Sequence, residues 1–272
     1  MTDRTDDPYF GSPEQRALLR RGRALFEILK DEPGYTYYGR TVGLATPGDG
    51  GIARLAALAR LQGNSNISRL PDDILPELVA ATEAAELTPA VYARWVGAED
   101  AIRAARRIVE ETSLPPGLTA MWLTPETPRP VLDAFAETAL SCAVLPPSLE
   151  VLTGCLRPGL TRIAVAEDGS VASCAAAAAY LHPGHPHGAT ECWWGMLATA
   201  ERWRGHRLSL RLGAEALLEM RARHGFTTFF TGVEPGNAPS EAVCARIGLQ
   251  KEPFATLGVA DPSLVPGGRM TK

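Results

Sequence analysis

The run Arg204-Gly205-His206-Arg207-Leu208-Ser209 lies between an apolar, β-rich segment and a strongly periodic helical one. A strand that feeds a glycine-containing turn into a helix start exposes unpaired backbone N–H groups at the positive end of the helix dipole. Such a junction suits a phosphate or pyrophosphate, and Arg204, His206 and Arg207 add charge and donors to it. Taken alone, one glycine before an Arg-rich helix is more often an ordinary solvated helix face.

A second unit follows: Gly232-Val233-Glu234-Pro235-Gly236-Asn237-Ala238-Pro239-Ser240, then a short helical stretch through Cys244, then Gly248-Leu249. A strand, an Asn with a Ser three residues on, a short helix and a Gly plus an apolar residue together resemble the second conserved region of the GNAT superfamily of N-acetyltransferases. Residues 204–209 resemble its first region, which in that family runs Arg or Gln, two free positions, Gly, one free position, Gly or Ala. Arg204 matches, while Arg207 and Ser209 stand at the two small-residue positions. The resemblance covers about residues 118–259.

The resemblance implies a mixed α/β (α+β) fold, with a mostly antiparallel sheet flanked by helices. It also implies that acetyl-CoA, or another acyl-CoA, binds as co-substrate between the strands near 192–199 and 226–233, with no metal. By analogy, the backbone at Leu197, Ala198 and Thr199 would pair with the pantetheine amides as an added strand does. The turn formed by Arg204, Gly205, His206, Arg207, Leu208 and Ser209 would hold the pyrophosphate. Asn237 would either contact the cofactor or cap the helix at Pro239. The implied chemistry is direct attack of an amine on the thioester, the acceptor being a small molecule or a peptide.

In that family the departing thiolate often takes a proton from a Tyr in the helix of the second region, and Cys244 occupies that place here. A thiol near its ordinary value of about 8.5 is suited to the transfer; the alternative is that Cys244 only packs against the sulfur end. For the base, Glu191 is the candidate carboxylate, at the start of the strand that passes under the thioester. It falls on the same strand face as Trp193 by the period of two, and the competing reading is a solvated Glu at a strand end. Cys244 at a Tyr position and Arg207 at a Gly position keep open a second function class, a CoA-binding sensor or scaffold without catalysis.

These groups must be positioned by a chain of 272 residues that is 45% hydrophobic and 21% charged, with mean hydropathy −0.05. The length suggests two domains. The 27 Lys and Arg against 31 Asp and Glu leave a formal charge of −4, which disfavours nucleic acid or an anionic membrane as partner. Five cysteines without a C-x-x-C pair, and an acidic rather than basic start, predict a reduced, cytoplasmic protein without a disulfide framework. A homodimer is compatible with all of this. His182, His185 and His187 lie in a Pro/Gly loop without the Cys or carboxylate set of a metal site, and the turn at 46–51 lacks the Lys-Ser/Thr ending of a phosphate loop.

The helical pattern stops at the Pro115-Pro116-Gly117 breaker, which predicts a mainly helical amino-terminal domain over 1–114 and a transferase-like domain over 115–272. In the first, helices are expected at 13–29, 51–61, 72–85 and 89–111, with a strand at 35–45. In the second, strands are expected near 118–123, 161–166, 171–181, 192–197, 226–233 and 254–259, with helices near 130–143, 148–154, 204–224 and 239–247. Too few residues follow Leu249 for the two closing strands that the resemblance implies. One of them must be minimal or come from elsewhere.

Overall fold

The computed structural model describes residues 7–48, 50–265, 267 and 268. The acidic start at residues 1–6, and Asp49 of the turn at 46–51, lie outside them. Helix α1 (Pro13–Leu29) opens on a capping box: the Ser12 side chain accepts from the Gln15 N–H while Gln15 reaches back to Ser12, with Pro13 in the first turn. The expected strand at 35–45 is two short pieces, β1 (Tyr35–Thr36) and β2 (Gly43–Leu44), paired antiparallel. After α2 (Gly51–Gln62) comes β3 (Asn64–Pro71), which was not expected, then α3 (Leu75–Ala84).

The segment 89–111 is not one helix. It divides at Gly97 into β4 (Thr88–Gly97) and α4 (Glu99–Glu111). Val91, Tyr92, Trp95 and Val96 are strand formers; Arg94 masks the pattern because it reads as a solvent-facing charge, whereas the fold buries it. Pro89 stands near the start of β4, where the strand pairs with β10 but its ladder with β9, which begins at Ala93, has not started.

The remaining elements follow the expected order: β5 (Leu118–Trp122), α5 (Arg129–Ser141), α6 (Leu149–Leu152), β6 (Gly159–Ala166), β7 (Val171–Ala179), β8 (Glu191–Thr199), α7 (Leu208–His224), β9 (Thr228–Val233), α8 (Ala238–Arg246) and β10 (Gln250–Ala260). Helix α7 starts at Leu208 rather than Arg204, because Gly205 and Arg207 take left-handed φ values of 84° and 56°. Residues 204–207 therefore form the turn that leads into the helix.

The ten strands among the described residues form one sheet in the order β1-β2-β3-β10-β4-β9-β8-β7-β6-β5. The amino-terminal region thus supplies β4 as the strand between β9 and β10, antiparallel to both. The breaker at Pro115-Pro116 lies between α4 and β5, and the sheet runs across it unbroken. One face carries a core that includes Tyr37, Phe135, Trp193, Phe230 and Leu257; the other packs Trp194, Phe229 and Cys244 against α4 and α7. Trp193 and Trp194 thereby point to opposite faces, as strand alternation requires.

A fragment of residues 115–272 should therefore lack the central partner of both β9 and β10. It is expected to show no cooperative unfolding transition by circular dichroism, whereas the full chain does; a cooperative melt of the fragment would contradict this integration.

Candidate functional site

Strands β8 and β9 run parallel for three residue pairs, Glu191–Thr228, Cys192–Phe229 and Trp193–Phe230, and then separate. Beyond that point β8 stays with β7 as far as Thr199, while β9 stays with β4 as far as Val233. The fork leaves two strand edges facing a cavity of about 550 Å³ that reaches both faces of the sheet. Its walls include Gly195, Met196 and Leu197 of β8, Thr231 to Val233 of β9, Cys244 of α8 and Asn237 just before that helix.

A bulge re-aims β8 within the cavity. Ala198 pairs with Cys174 and Gly195 with Ala176, so that Met196 and Leu197 together oppose one residue of β7. Met196 takes a left-handed φ of 54° there, a conformation held in place against its cost by the surrounding structure. The Cys174 thiol donates to the Met196 carbonyl at 3.4 Å and the Ser173 hydroxyl to the Ala198 carbonyl at 2.8 Å, fixing the bulged strand from β7. Trp194 anchors β8 to α7 by donating its indole N–H to the Gly213 carbonyl at 2.8 Å; a Cβ on Gly213 would lie 2.6 Å from the indole.

Past Thr199 the chain makes a 3₁₀ turn at Glu201–Trp203 and enters the exposed turn at 204–207. Helix α7 has no side-chain cap, so the N–H groups of its first turn face outward without one. Of the four arginines near this turn in the sequence, Arg202, Arg204, Arg207 and Arg211, two are engaged elsewhere. Arg202 binds Asp168 of the β6–β7 turn at 2.8 Å, and Arg211 pairs with Glu215 at 2.9 Å while donating to the Val109 carbonyl of α4. Arg204 and Arg207 have no side-chain partner among the described residues and supply the positive charge. Arg207 adopts the left-handed conformation itself, so the glycine-like backbone of the turn is kept at the price of a strained non-glycine residue.

Leu197, Asn237 and Cys244 line the cavity; Ala198 and Thr199 continue the β8 edge toward the turn. Asn237 caps α8, its side chain accepting from the Ser240 N–H at 3.2 Å. Cys244 is buried, and loss of solvation pushes its thiol up to about 12. Glu191 is absent from the cavity wall. It is buried beneath the fork, its Oε2 taken by Arg94 Nη2 at 2.5 Å and by Arg69 Nη1 at 3.0 Å. Arg94 in turn meets Glu252 of β10 at 3.2 Å and stacks 4.2 Å above the Phe230 ring.

The second half of the cavity, which no motif announces, is built from the amino-terminal region: Tyr38, Arg40, Asn64, Asn66 and Tyr92 line it together with Tyr180 and Trp193. The run Asn64-Ser65-Asn66 was a signal in retrospect, since amides and hydroxyls in a buried strand mark a polar-lined space. The loop histidines serve their own turns, His182 Nδ1 accepting from the Gly184 N–H at 2.9 Å and His185 Nδ1 from the His187 N–H at 3.2 Å. Among the described residues no group of three or more His, Cys, Asp or Glu could hold a metal ion, and no helix is long and apolar enough to cross a membrane.

No protein-family model and no curated protein matches the sequence. Solved structures do match the fold. A GCN5-related N-acetyltransferase from Kribbella flavida superposes with a TM-score of 0.54 at 13% identity, over 90% of this chain and 95% of that one. A Drosophila protein gives 0.53 at 15% identity, over 91% and 88%. A GCN5-related N-acetyltransferase-like protein from Streptococcus suis gives 0.50 at 14%, over 83% and 81%. The likeness thus extends well beyond the 118–259 of the motifs and takes in the amino-terminal strands.

The Glu191 geometry yields a direct test. Glu191→Gln leaves the buried Arg94 guanidinium without its main carboxylate and should destabilise the protein by about 3 kcal/mol in urea denaturation. An unchanged stability together with a large loss of turnover would instead make Glu191 a catalytic base.

Proposed function

We propose that this chain, whose fold is that of the GCN5-related N-acetyltransferases, is an acetyl-CoA-dependent N-acetyltransferase that acts by direct attack of an amine on the thioester. The observation that carries the proposal is the fork between β8 and β9, whose free β8 edge leads along the chain through Thr199 to an uncapped helix start with two arginines that have no side-chain partner among the described residues. Acetyl-CoA fits these residues in kind: an open strand edge for amides, and a turn rich in N–H donors and cations for phosphates.

In this reading the β8 edge from Gly195 to Thr199 holds the pantetheine amides. At about 3.3 Å per residue, the strand from Trp193 to Thr199 spans about 20 Å, so the phosphate turn and the acceptor half of the cavity lie at opposite ends of an extended arm. The N–H groups of residues 205–209 hold the pyrophosphate, with Arg204 and Arg207 beside them. Bound acetyl-CoA supplies the activated acyl group; the amine nitrogen forms the new C–N bond as the C–S bond breaks.

Cys244 forms part of the wall at the sulfur end. Burial pushes the Cys244 thiol up to about 12, which makes it a weaker proton donor than an ordinary thiol. In this reading the departing sulfur takes its proton from water or from the amine. Glu191 holds the base of the fork together rather than taking that proton.

Isothermal titration with acetyl-CoA tests the proposal: saturable one-to-one binding is expected, and no heat at millimolar ligand would overturn it. Gly205→Glu should weaken that binding at least tenfold, since it puts a negative charge beside the phosphates and a side chain on a left-handed backbone with open space around it. Binding with no transfer to any amine would favour a CoA-binding sensor instead. Once an acceptor is in hand, Cys244→Ala should leave kcat within about threefold of wild type. A loss of a hundredfold or more would make Cys244 the acid.

A further inference from the structure

The amino-terminal half of the cavity is dominated by aromatic rings around one cation. Tyr38 lies 4.9 Å from Trp193 and 5.4 Å from Tyr180 between ring centroids, and Tyr180 lies 5.1 Å from Phe230. The Arg40 guanidinium sits over two of these rings, 5.2 Å from the Tyr38 centroid and 5.8 Å from that of Trp193. Its Nη1 donates to the Tyr38 hydroxyl at 3.0 Å. Its Nε is buried and has no hydrogen-bond partner, and Arg40 forms no ion pair among the described residues. A guanidinium with unmet donors at the wall of a large cavity is a fork-shaped receptor for an oxyanion.

Its placement is rigid. Helix α1 presses on the loop at Gly22, where a Cβ would lie 2.1 Å from the Arg40 carbonyl. The Tyr37 N–H donates to the Tyr180 carbonyl at 3.0 Å, and Arg157 donates to the Tyr37 carbonyl at 2.5 Å and also to that of Leu181. The neighbouring cavity residues are neutral. Asn66, its Oδ1 occupied by the Tyr180 hydroxyl at 2.6 Å, offers amide N–H donors. Glu234 is the carboxylate among the described cavity residues and belongs to the β9 side, near Asn237.

We propose that the acceptor amine also carries a carboxylate, as in an amino acid or related aminocarboxylate, and that Arg40 binds that carboxylate while Tyr38, Tyr180 and Trp193 enclose the rest of the molecule. This rests on the acetyltransferase reading for the role of the bound amine, but the subsite itself is defined by binding. Arg40 is thus a specificity-determining residue, placed on the opposite side of the fork from the phosphate turn. A site built to satisfy a charged group discriminates strongly against the analogue that lacks it, because its donors are then buried unmet.

The test uses matched pairs in the presence of CoA: phenylalanine with phenethylamine, tyrosine with tyramine, leucine with isopentylamine. Each carboxylate member is expected to bind the full-length protein at least tenfold more tightly by calorimetry. Arg40→Gln should remove that difference and Arg40→Lys restore part of it, both with unchanged melting temperature and acetyl-CoA affinity. Equal binding within each pair, no binding of any carboxylate member, or selectivity that survives Arg40→Gln would overturn the proposal. Transfer rates from acetyl-CoA then read the other question: selective binding without transfer overturns the acetyltransferase reading alone, and transfer with no carboxylate preference overturns the subsite alone.

Discussion

The Arg94–Glu191 ion pair holds the base of the fork on which the rest of the molecule depends. Glu191 begins β8 and Arg94 lies on β4, with β9 between them; the guanidinium crosses above the Phe230 ring of β9 to reach the carboxylate. Arg69 from β3 and Glu252 from β10 join the same network, so five strands are tied at the point where the β8–β9 ladder stops. Burying such charges is costly, and the pair keeps Arg94 Nη1 and Glu191 Oε1 without partners. A buried network of this kind is better understood as fixing a geometry than as adding net stability. The geometry it fixes is a sheet that splits just above it.

The split joins two sites with different makers. On the side of α7 and α8, the segment after residue 114 supplies the bulged strand edge, the glycine turn and the uncapped helix start. On the other face, the segment before it supplies Arg40, Tyr38, the Asn64–Asn66 strand edge and Tyr92. The strands of the amino-terminal region belong to the same sheet as those that follow it. It closes the sheet with β4, contributes the guanidinium that braces the fork, and walls the space where an acceptor would sit. That both segments wall the same cavity follows from their sharing one sheet.

Much of the carboxy-terminal half was legible in the sequence because its signals are local. The periodicity of 208–224 and its Gly225 cap, the Asn237 cap, and the Asp168-Gly169 turn between β6 and β7 are each set by neighbouring residues. The amino-terminal half was less legible because its strands are defined by distant partners. Arg94 reads as a surface charge until Glu191 and Phe230 are beside it, and Asn64-Ser65-Asn66 reads as a loop until β10 is beside it. Of the candidate site, the turn at 204–207 was singled out by its chemistry and the β8 edge by the family resemblance. Glu191 was assigned by its place on the strand, which does not reveal that two arginines occupy its oxygen. Arg40 carries no local signal at all.

The central claim is that the fork between β8 and β9 receives acetyl-CoA along the β8 edge and at the start of α7. Amide hydrogen exchange with and without acetyl-CoA reads those backbone groups directly. The account predicts slower exchange at residues 195–199 and 205–210 on addition of the ligand, with little change in the outer strands β5 and β6. Protection confined to other segments, or none at saturating ligand, would contradict it.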